Sequence, residues 1–262
     1  MNIRILIFLA LLCVTCLILY RFSFGQNISW NSFLLKTCAC MQCIKKDPWF
    51  AERYDGQVPK LMSRRNSNLS TLTLDWWLKL QPYHKMKYRD VVQPLFLHFP
   101  DKEHYNDAGP DRCRTCAVVG NSDNLIGSHY GQLIDSHDFI ISTYTNVKHT
   151  IQANKDKVMI MSPEFMRYVY KNWSREHGRY PSTGFLTLML ALHICDQVNV
   201  FGFGARTDGR WYHYYDKAYR QSMNSTEHRG GAEYNFMLEL EKRNKIKMYK
   251  GWQHETYQNV SH

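Results

Sequence analysis

The chain has 262 residues, which suits one globular domain with short appendages. It carries 33 Lys and Arg against 23 Asp and Glu, for a formal net charge of +10, so a basic surface facing an anionic partner is indicated. Nucleic acid is not expected as that partner, because the sequence has no zinc-finger spacing, no aromatic-basic ribonucleoprotein motif and no basic helix.

An uncharged apolar run, ILIFLALLCVTCLILY, begins the chain between Arg4 and Arg21. It is shorter than the roughly 20 residues of a typical spanning helix. Phe22 and Phe24 extend it into the membrane interface, and a cleaved signal peptide would need a small-x-small site, which does not follow the run. We therefore expect an uncleaved signal-anchor. The expected order is a cytoplasmic tail over residues 1–4, the anchor over 5–24, a short stem over 25–37 and a lumenal domain over 38–262.

Sequons and cysteines agree with a lumenal domain. Six cysteines outside the apolar run predict three disulfides in an oxidising compartment, and six cysteines allow 15 pairings. Their C-x-C-x-x-C and C-x-x-C spacings also fit a zinc site, which the lumen disfavours. The sequons begin at Asn27, Asn68, Asn172, Asn224 and Asn259, and the cysteines are Cys38, Cys40, Cys43, Cys113, Cys116 and Cys195.

Aromatic residues at helical spacing predict two helices, Pro48–Tyr54 and Leu74–Gln81, that pack through these side chains. A third, amphipathic helix is predicted over Met86–Phe99 and ended by Pro100. The polar stretch Asp101–Asp111 is predicted as a connecting loop.

The stretch CAVVGNSDNL follows this loop. Its short apolar run, Cys116–Val119, predicts a buried strand, and Gly120, Asn121 and Ser122 predict a tight turn whose backbone approaches a ligand. Loops after the strands of an open α/β sheet bind ligands, and a following helix N-terminus offers unpaired N–H groups to a phosphate. The pattern therefore indicates a nucleotide site.

A second stretch of alternating elements follows. Lys157–Met161 predicts a strand, and Pro163–Trp173 predicts a helix with Ser162 as its N-cap. An apolar helix is predicted over Phe185–Ile194 and a buried strand over Gln197–Phe203.

The segment HGRYPSTG lies at the start of that apolar helix. Hydroxyl and N–H groups of Ser182, Thr183 and Gly184 are placed to hold a phosphate or a carboxylate. Simple helix capping by Ser182 explains the same residues, and the residues themselves do not separate the two interpretations.

Four segments in this order, CAVVGNSDNL, HGRYPSTG, CDQVNVFGFG and HRGGAE, resemble the large, small and very small sialylmotifs of animal sialyltransferases. The resemblance runs from Cys38 to Gly251 and is closest to the β-galactoside α-2,3-sialyltransferases that act on Galβ1-3GalNAc ends. It implies an α/β fold: a single Rossmann-like (GT-A-like) glycosyltransferase domain with helices on both sheet faces. It also implies a single-pass type II protein of the Golgi membrane, with its catalytic part in the lumen.

The implied reaction transfers sialic acid from CMP-sialic acid to the 3-position of a terminal β-galactose, by single displacement with inversion. A hydroxyl is a poor nucleophile at neutral pH, so a general base is needed. By resemblance that base is His228, which opens H-x-x-x-x-E, while Glu233 either orients its ring or caps a helix. His213 is implied to stabilise the leaving phosphate, and Tyr212 stands where the family often has a second histidine. The absence of an Asp-x-Asp motif favours transfer without a metal or other cofactor.

The resemblance also implies binding residues, disulfides and partners. Gln81 is the implied acceptor contact, and the implied disulfides are Cys38–Cys43, Cys40–Cys113 and Cys116–Cys195. The expected partners are CMP-sialic acid, a galactose-terminated glycan and the Golgi membrane, with a homodimer as a further expectation. The implied donor-binding residues are Asn121, Ser122, Tyr144, Tyr180, Ser182, Thr183, Gly184, Gly204 and Tyr214.

The resemblance is interrupted after Phe139. In the family the large motif continues through an Arg-Met-Asn segment and a long stretch, whereas here Ile140 and Ile141 run into STYTNVKHTIQANKDKVMIM. Several dozen residues are missing near 140–145, including a nucleotide-binding asparagine and at least one sheet element. A catalytically inactive or misfolded family member is therefore the alternative. Losing a central strand exposes apolar surface on both faces of a parallel sheet, against a net stability of only about 5–15 kcal/mol.

Overall fold

The computed structural model describes residues 46–81, 87–98, 101, 114–142, 159–204 and 229–251. Within these ranges, no helix is long and apolar enough to cross a bilayer. The predicted tail, signal-anchor and stem lie outside the described residues.

Four parallel strands form the described sheet in the order β2-β1-β3-β4. Val118 in β1 lies opposite Ile141 of β2 on one side and Val200 of β3 on the other. β-Branched side chains suit this pleated and buried surface. The predicted α/β class is confirmed. The strands are β1 (Thr115–Val119), β2 (Phe139–Ser142), β3 (Gln197–Phe201) and β4 (Lys247–Tyr249).

The helices agree with most of the predicted positions. They are α1 (Pro48–Ala51), α2 (Thr71–Leu80), α3 (Tyr88–His98), α4 (Gly131–Asp135), α5 (Pro163–Tyr168), α6 (Thr183–Ile194) and α7 (Gly230–Lys242). A 3-10 turn covers Asp123–Leu125, and a π-helical turn covers Val169–Trp173 directly after α5.

The core lies between one face of the sheet and α6. Every residue of Phe185–Ile194 is buried, as expected for a helix that is apolar all round. The disulfide Cys116–Cys195 joins β1 to the end of α6, which confirms that predicted pair. Cys195 follows the helix and precedes β3, so the bond ties the central strand to its covering helix.

Helices α6 and α7 lie on one face of the sheet, and residues that flank the short helix α4 lie on the other; the predicted covering of both faces by helices stays a prediction. Met237 and Leu240 of α7 belong to the same buried cluster as α6. Side chains alternate along a strand, so Phe201 faces away from Val200 and lies on the opposite face. There Tyr130 and His137, which flank α4, lie against the Phe201 ring at 5.6 and 5.9 Å between ring centroids.

The predicted strand Lys157–Met161 is wrong for its described part. Residues 159–161 make a single antiparallel bridge, between Met161 and Leu61. Backbone bonds flank it, from Met62 N–H to the Ile160 oxygen (2.7 Å) and from Ser162 N–H to the Lys60 oxygen (3.0 Å). Ser162 then caps α5, so the segment turns into a helix before a ladder can extend.

Candidate active site

The carboxyl ends of β1 and β3 meet through backbone contacts. Gly120 N–H donates to the Phe201 oxygen at 2.7 Å, and Ser122 N–H donates to the Gly202 oxygen at 3.0 Å. A Cβ on Gly120 would lie 2.3 Å from that Gly202 oxygen, and Gly202 itself has φ +69°. Both glycines are therefore required by the close approach and the left-handed backbone.

Side chains in the turn after β1 form hydrogen bonds with the turn after β3. Ser122 Oγ donates to the Gly204 oxygen at 2.9 Å, and Asn124 Nδ2 donates to the Phe203 oxygen at 3.0 Å. Asn124 Oδ1 is buried and has no hydrogen-bond partner within the described ranges. A buried acceptor without a donor is rare in a folded protein, and an ordered water or a ligand N–H or O–H would satisfy it. Asn121 beside it is half-buried.

A helix was expected to follow this turn, and the structure instead has the 3-10 turn. Ser122 caps that turn by accepting from Asn124 N–H at 3.3 Å. The helix N-terminus at this end of the sheet comes from α6. Ser182 is its N-cap and accepts from Phe185 N–H at 3.1 Å. Thr183 is exposed at the first helical position, where N–H groups have no partner within the helix.

Phe203 fills the space between the two turns. A Cβ on Gly184 would lie 2.8 Å from Phe203 Cε1, and a Cβ on Gly120 would lie 2.8 Å from its Cδ2 and Cε2. Gly204, the next residue, has φ +103° and lies against the Tyr234 hydroxyl of α7. The segments after β1, after β3, at the start of α6 and at the start of α7 are therefore in contact.

Glu233 joins the small motif to the very small motif. Its Oε1 accepts from Ser182 N–H at 2.7 Å and its Oε2 accepts from Ser182 Oγ–H at 2.5 Å. The side chain is only 8% exposed. Burial raises the pKa of the Glu233 carboxyl, and the two bonds from Ser182 oppose that shift. These contacts make Glu233 an anchor of the α6 N-terminus, whereas its other predicted role, orienting the ring of His228, stays a prediction because His228 lies outside the described residues.

Gln81 lies on the other side of the HGRYPSTG segment. It is the C-cap of α2, and its Nε2 donates to the Trp77 oxygen at 3.4 Å. Arg179 donates from Nη2 to the Lys79 oxygen at 3.3 Å, which holds the segment containing Tyr180 against the last turn of α2. The implied acceptor contact and an implied donor contact therefore lie on connected elements.

Several predicted residues fall outside the described ranges. His228 directly precedes Arg229, the N-cap of α7. The others are His213, Tyr144, Tyr214, Cys38, Cys40, Cys43 and Cys113. Their predicted roles and the disulfides Cys38–Cys43 and Cys40–Cys113 stay predictions.

Sequence reasoning missed two residues that the structure places in the site. Asn124 presents a buried, unpaired oxygen, and Phe203 packs against both Gly120 and Gly184. Signals for both were available, since Asn124 is the second asparagine of GNSDN and Phe203 stands between two glycines. An aromatic residue flanked by glycines after a strand indicates close packing of the neighbouring backbone.

The family model of glycosyltransferase family 29 (sialyltransferase) matches residues 61–143 and 141–245. These matches cover more than half of the chain. The chain therefore belongs to this family, as the motif resemblance predicted.

Similarity to characterised relatives and to a solved structure agrees with this family. The chain is 32% identical over 292 residues to the mouse CMP-N-acetylneuraminate-beta-galactosamide-alpha-2,3-sialyltransferase 2, with 86% of this chain and 83% of the relative covered. It is 34% identical over 289 residues to the chicken enzyme of the same name numbered 1, covering 84% of each. A crystal structure of a mammalian sialyltransferase in complex with Gal-beta-1-3GalNAc-ortho-nitrophenol matches with a TM-score of 0.69 and 31% identity, over 82% of this chain and 99% of that one.

The match is interrupted at one place. The two segments of the family match meet at residues 141–143, and the alignment to the mouse relative is 292 residues long against 262 in this chain. Gaps within this chain are therefore needed to carry the alignment. β2 begins at Phe139, the last residue before the resemblance to the large motif is interrupted, and ends at Ser142.

Proposed function

We propose that the chain transfers sialic acid from CMP-sialic acid to the 3-position of a terminal β-galactose, on Galβ1-3GalNAc glycans of glycoproteins or glycolipids. The observation that carries this proposal is the convergence of the four motif segments at the carboxyl end of β1 and β3, in a chain of the sialyltransferase family. Relatives over 30% identical that are named for this reaction support the α-2,3 linkage and the β-galactose acceptor.

The donor site in this proposal lies at the turn after β1 and the start of α6. Asn124 Oδ1 offers an acceptor, and the N–H groups of Thr183 and Gly184 at the α6 N-terminus offer donors to an anionic group. The Ser122 and Ser182 hydroxyls already donate to Gly204 and Glu233, so their part is to fix the two turns.

The chemistry proposed is a single displacement with inversion. His228 takes the proton of the galactose 3-hydroxyl as that oxygen attacks the anomeric carbon of sialic acid, and His213 stabilises the leaving CMP phosphate. Protein hydrogen bonds, without a metal, hold the phosphate in this scheme. Glu233, on α7, fixes Ser182 in this scheme.

Loss of activity through the shortened large motif is the competing interpretation. The exposed Ile140 of β2, 49% accessible, favours it, because apolar edge residues in this class of fold are ordinarily covered. Against it, β2 pairs with β1 in register along its four residues, and Cys116, Ala117 and Val118 are fully buried. The sheet around the proposed donor site is therefore continuous from β2 to β4.

The proposed location is the Golgi membrane, with residues 5–24 as a signal-anchor and the catalytic domain in the lumen. We also propose that this domain has a GT-A-like fold and that the protein forms a homodimer. The disulfides Cys38–Cys43 and Cys40–Cys113 and the five sequons belong to this proposal. Non-reducing peptide mapping and glycosidase sensitivity of the expressed chain test it.

The first experiment is calorimetric titration of the full chain in detergent with CMP, followed by transfer from CMP-sialic acid to Galβ1-3GalNAc in the presence of EDTA. We expect saturable CMP binding and EDTA-resistant transfer. His228→Ala should abolish transfer and keep CMP binding, while His98→Ala, an exposed histidine of α3, serves as the matched control. A folded chain that binds no CMP contradicts the proposal and supports the inactive interpretation.

A further inference from the structure

The loop between the π-helical turn and α6, residues 174–182, has an unusual backbone. Arg175 and Glu176 are consecutive non-glycine residues with φ +51° and +61°, and Gly178 has φ +78°. Left-handed backbone at non-glycine residues costs free energy and persists where surrounding contacts impose it, most often at functional sites. The π-helical turn Val169–Trp173 before it is a second feature that clusters at such sites.

Tyr170 makes the contacts that impose this backbone. Its main-chain oxygen accepts from Glu176 N–H (2.9 Å) and from Ser174 Oγ (2.9 Å). Its side-chain hydroxyl donates to the Gly178 oxygen at 3.3 Å. One residue of the π-helical turn therefore contacts the loop at three points.

Tyr170 also holds α2. Its ring stacks on Trp76 at 5.6 Å between centroids, with an interplanar angle of 28°. Trp76 lies on the same helix as Lys79, which accepts from Arg179, and as Gln81 at the C-cap. The loop is thus fixed to α2 at both of these places, beside the proposed acceptor contact.

The far end of the loop is fixed independently. Ser182 is held by Glu233 through two hydrogen bonds. The donor end is therefore set by α7, whereas the end that faces Gln81 is set by Tyr170 and Arg179. Because Tyr180 in this loop is also an implied donor contact, a change at Tyr170 should move the acceptor side more than the donor side.

We propose that Tyr170 is a positioning residue for the acceptor sugar, an inference that rests on the proposed transferase function. It holds the loop and the last turn of α2, with Gln81, in the positions that the acceptor requires. The hydroxyl sets the loop backbone and the ring sets the helix, so both parts of the side chain contribute.

The test compares steady-state kinetics of the full chain with Tyr170→Phe, Trp76→Leu and the double variant, each titrated separately with donor, acceptor and CMP. Losing the bond to Gly178 should raise the acceptor KM roughly 3- to 10-fold, with kcat unchanged and with smaller changes in donor KM and CMP affinity. Trp76→Leu should raise the acceptor KM in the same way, and the double variant should show less than the product of the two effects. Tyr88→Phe on α3, which removes a hydroxyl contact to Met62 Sδ, is the matched control.

The outcomes separate the two proposals. A wild-type chain that binds CMP and transfers sugar, combined with an unchanged acceptor KM in Tyr170→Phe, overturns the positioning role alone. An equal loss of CMP affinity also overturns it, because the donor side would then have moved as much as the acceptor side. A wild-type chain that neither binds CMP nor transfers sugar overturns both.

Discussion

Glu233 makes the contact with Ser182 on which the proposed site most depends. The loss of folding stability on removing Glu233 can be calculated from its hydrogen bonds. Glu233→Ala leaves the Ser182 N–H and Oγ–H without their present acceptor, in a position where Glu233 is 8% exposed. A hydrogen bond to a charged group contributes roughly 1.5–3 kcal/mol, so two of them on one carboxylate amount to about 3–6 kcal/mol. We expect Glu233→Ala to lower the free energy of unfolding by that amount and to weaken CMP binding, because Ser182 begins the α6 N-terminus.

Glu233→Gln is the informative companion variant. Its Oε1 can still accept from Ser182 N–H, and its Nε2 can donate to Ser182 Oγ, since a hydroxyl both donates and accepts. The glutamine keeps the shape and both hydrogen bonds but loses the charge, so we expect the free energy of unfolding to decrease by about 1–2 kcal/mol. Urea unfolding followed by tryptophan fluorescence, together with CMP calorimetry, measures both quantities.

Comparing CMP binding by the two variants shows whether the Glu233–Ser182 contact holds the site. Glu233→Gln should bind CMP nearly as well as the wild type, with Glu233→Ala clearly weaker. If both variants bind CMP and unfold as the wild type does, the Glu233–Ser182 contact does not hold the site. If Glu233→Gln loses transfer alone, with binding and stability intact, the Glu233 charge acts on the base His228 in addition to holding Ser182.

Three further predictions concern the fold around the site. Gly120→Ala puts a Cβ 2.3 Å from a backbone oxygen and should lower the free energy of unfolding, measured by thermal unfolding, by more than about 1 kcal/mol. Gly131→Ala, whose Cβ meets nothing within 4 Å, should not lower it. Equal effects of the two substitutions would contradict the close approach at Gly120. Burial lowers the pKa of His193 from 6.5 to about 4. The free energy of unfolding therefore keeps the full contribution of His193 above pH 6.5 and loses about 3 kcal/mol of it as the pH falls to 4. Urea unfolding at pH 7 and pH 5 should show about 2 kcal/mol of this loss, and a His193→Gln variant with the same pH dependence would refute it. Replacing Cys116 and Cys195 together by Ala opens a bridge across 79 residues and should lower stability by about 4 kcal/mol; an unchanged melting temperature would exclude a stabilising bond.

Elements with strong local signals were predicted from the sequence alone. β1 follows from a short apolar run ended by glycine, and α6 follows from an apolar run preceded by a serine N-cap. Ser162 and Pro163 predicted the start of α5 in the same way. These signals are local, because strand propensity, capping hydrogen bonds and proline geometry depend on a few neighbouring residues.

The predicted strand Lys157–Met161 shows where local signals stop. Its composition suits a strand, yet Met161 finds a single bridge partner in Leu61, about one hundred residues earlier in the sequence. A ladder needs a partner of matching length, and only the tertiary structure sets that length.

The sequence by itself determined the family and the α/β class and predicted which segments form the candidate site, because motif residues are recognisable in isolation. Only the tertiary structure decided how those segments hold one another. The bond between Glu233 and Ser182 joins residues 51 positions apart, and the approach of Gly120 to Gly202 depends on the register of β1 against β3. Such contacts arise from packing between distant segments, and no pattern within either segment specifies the partner.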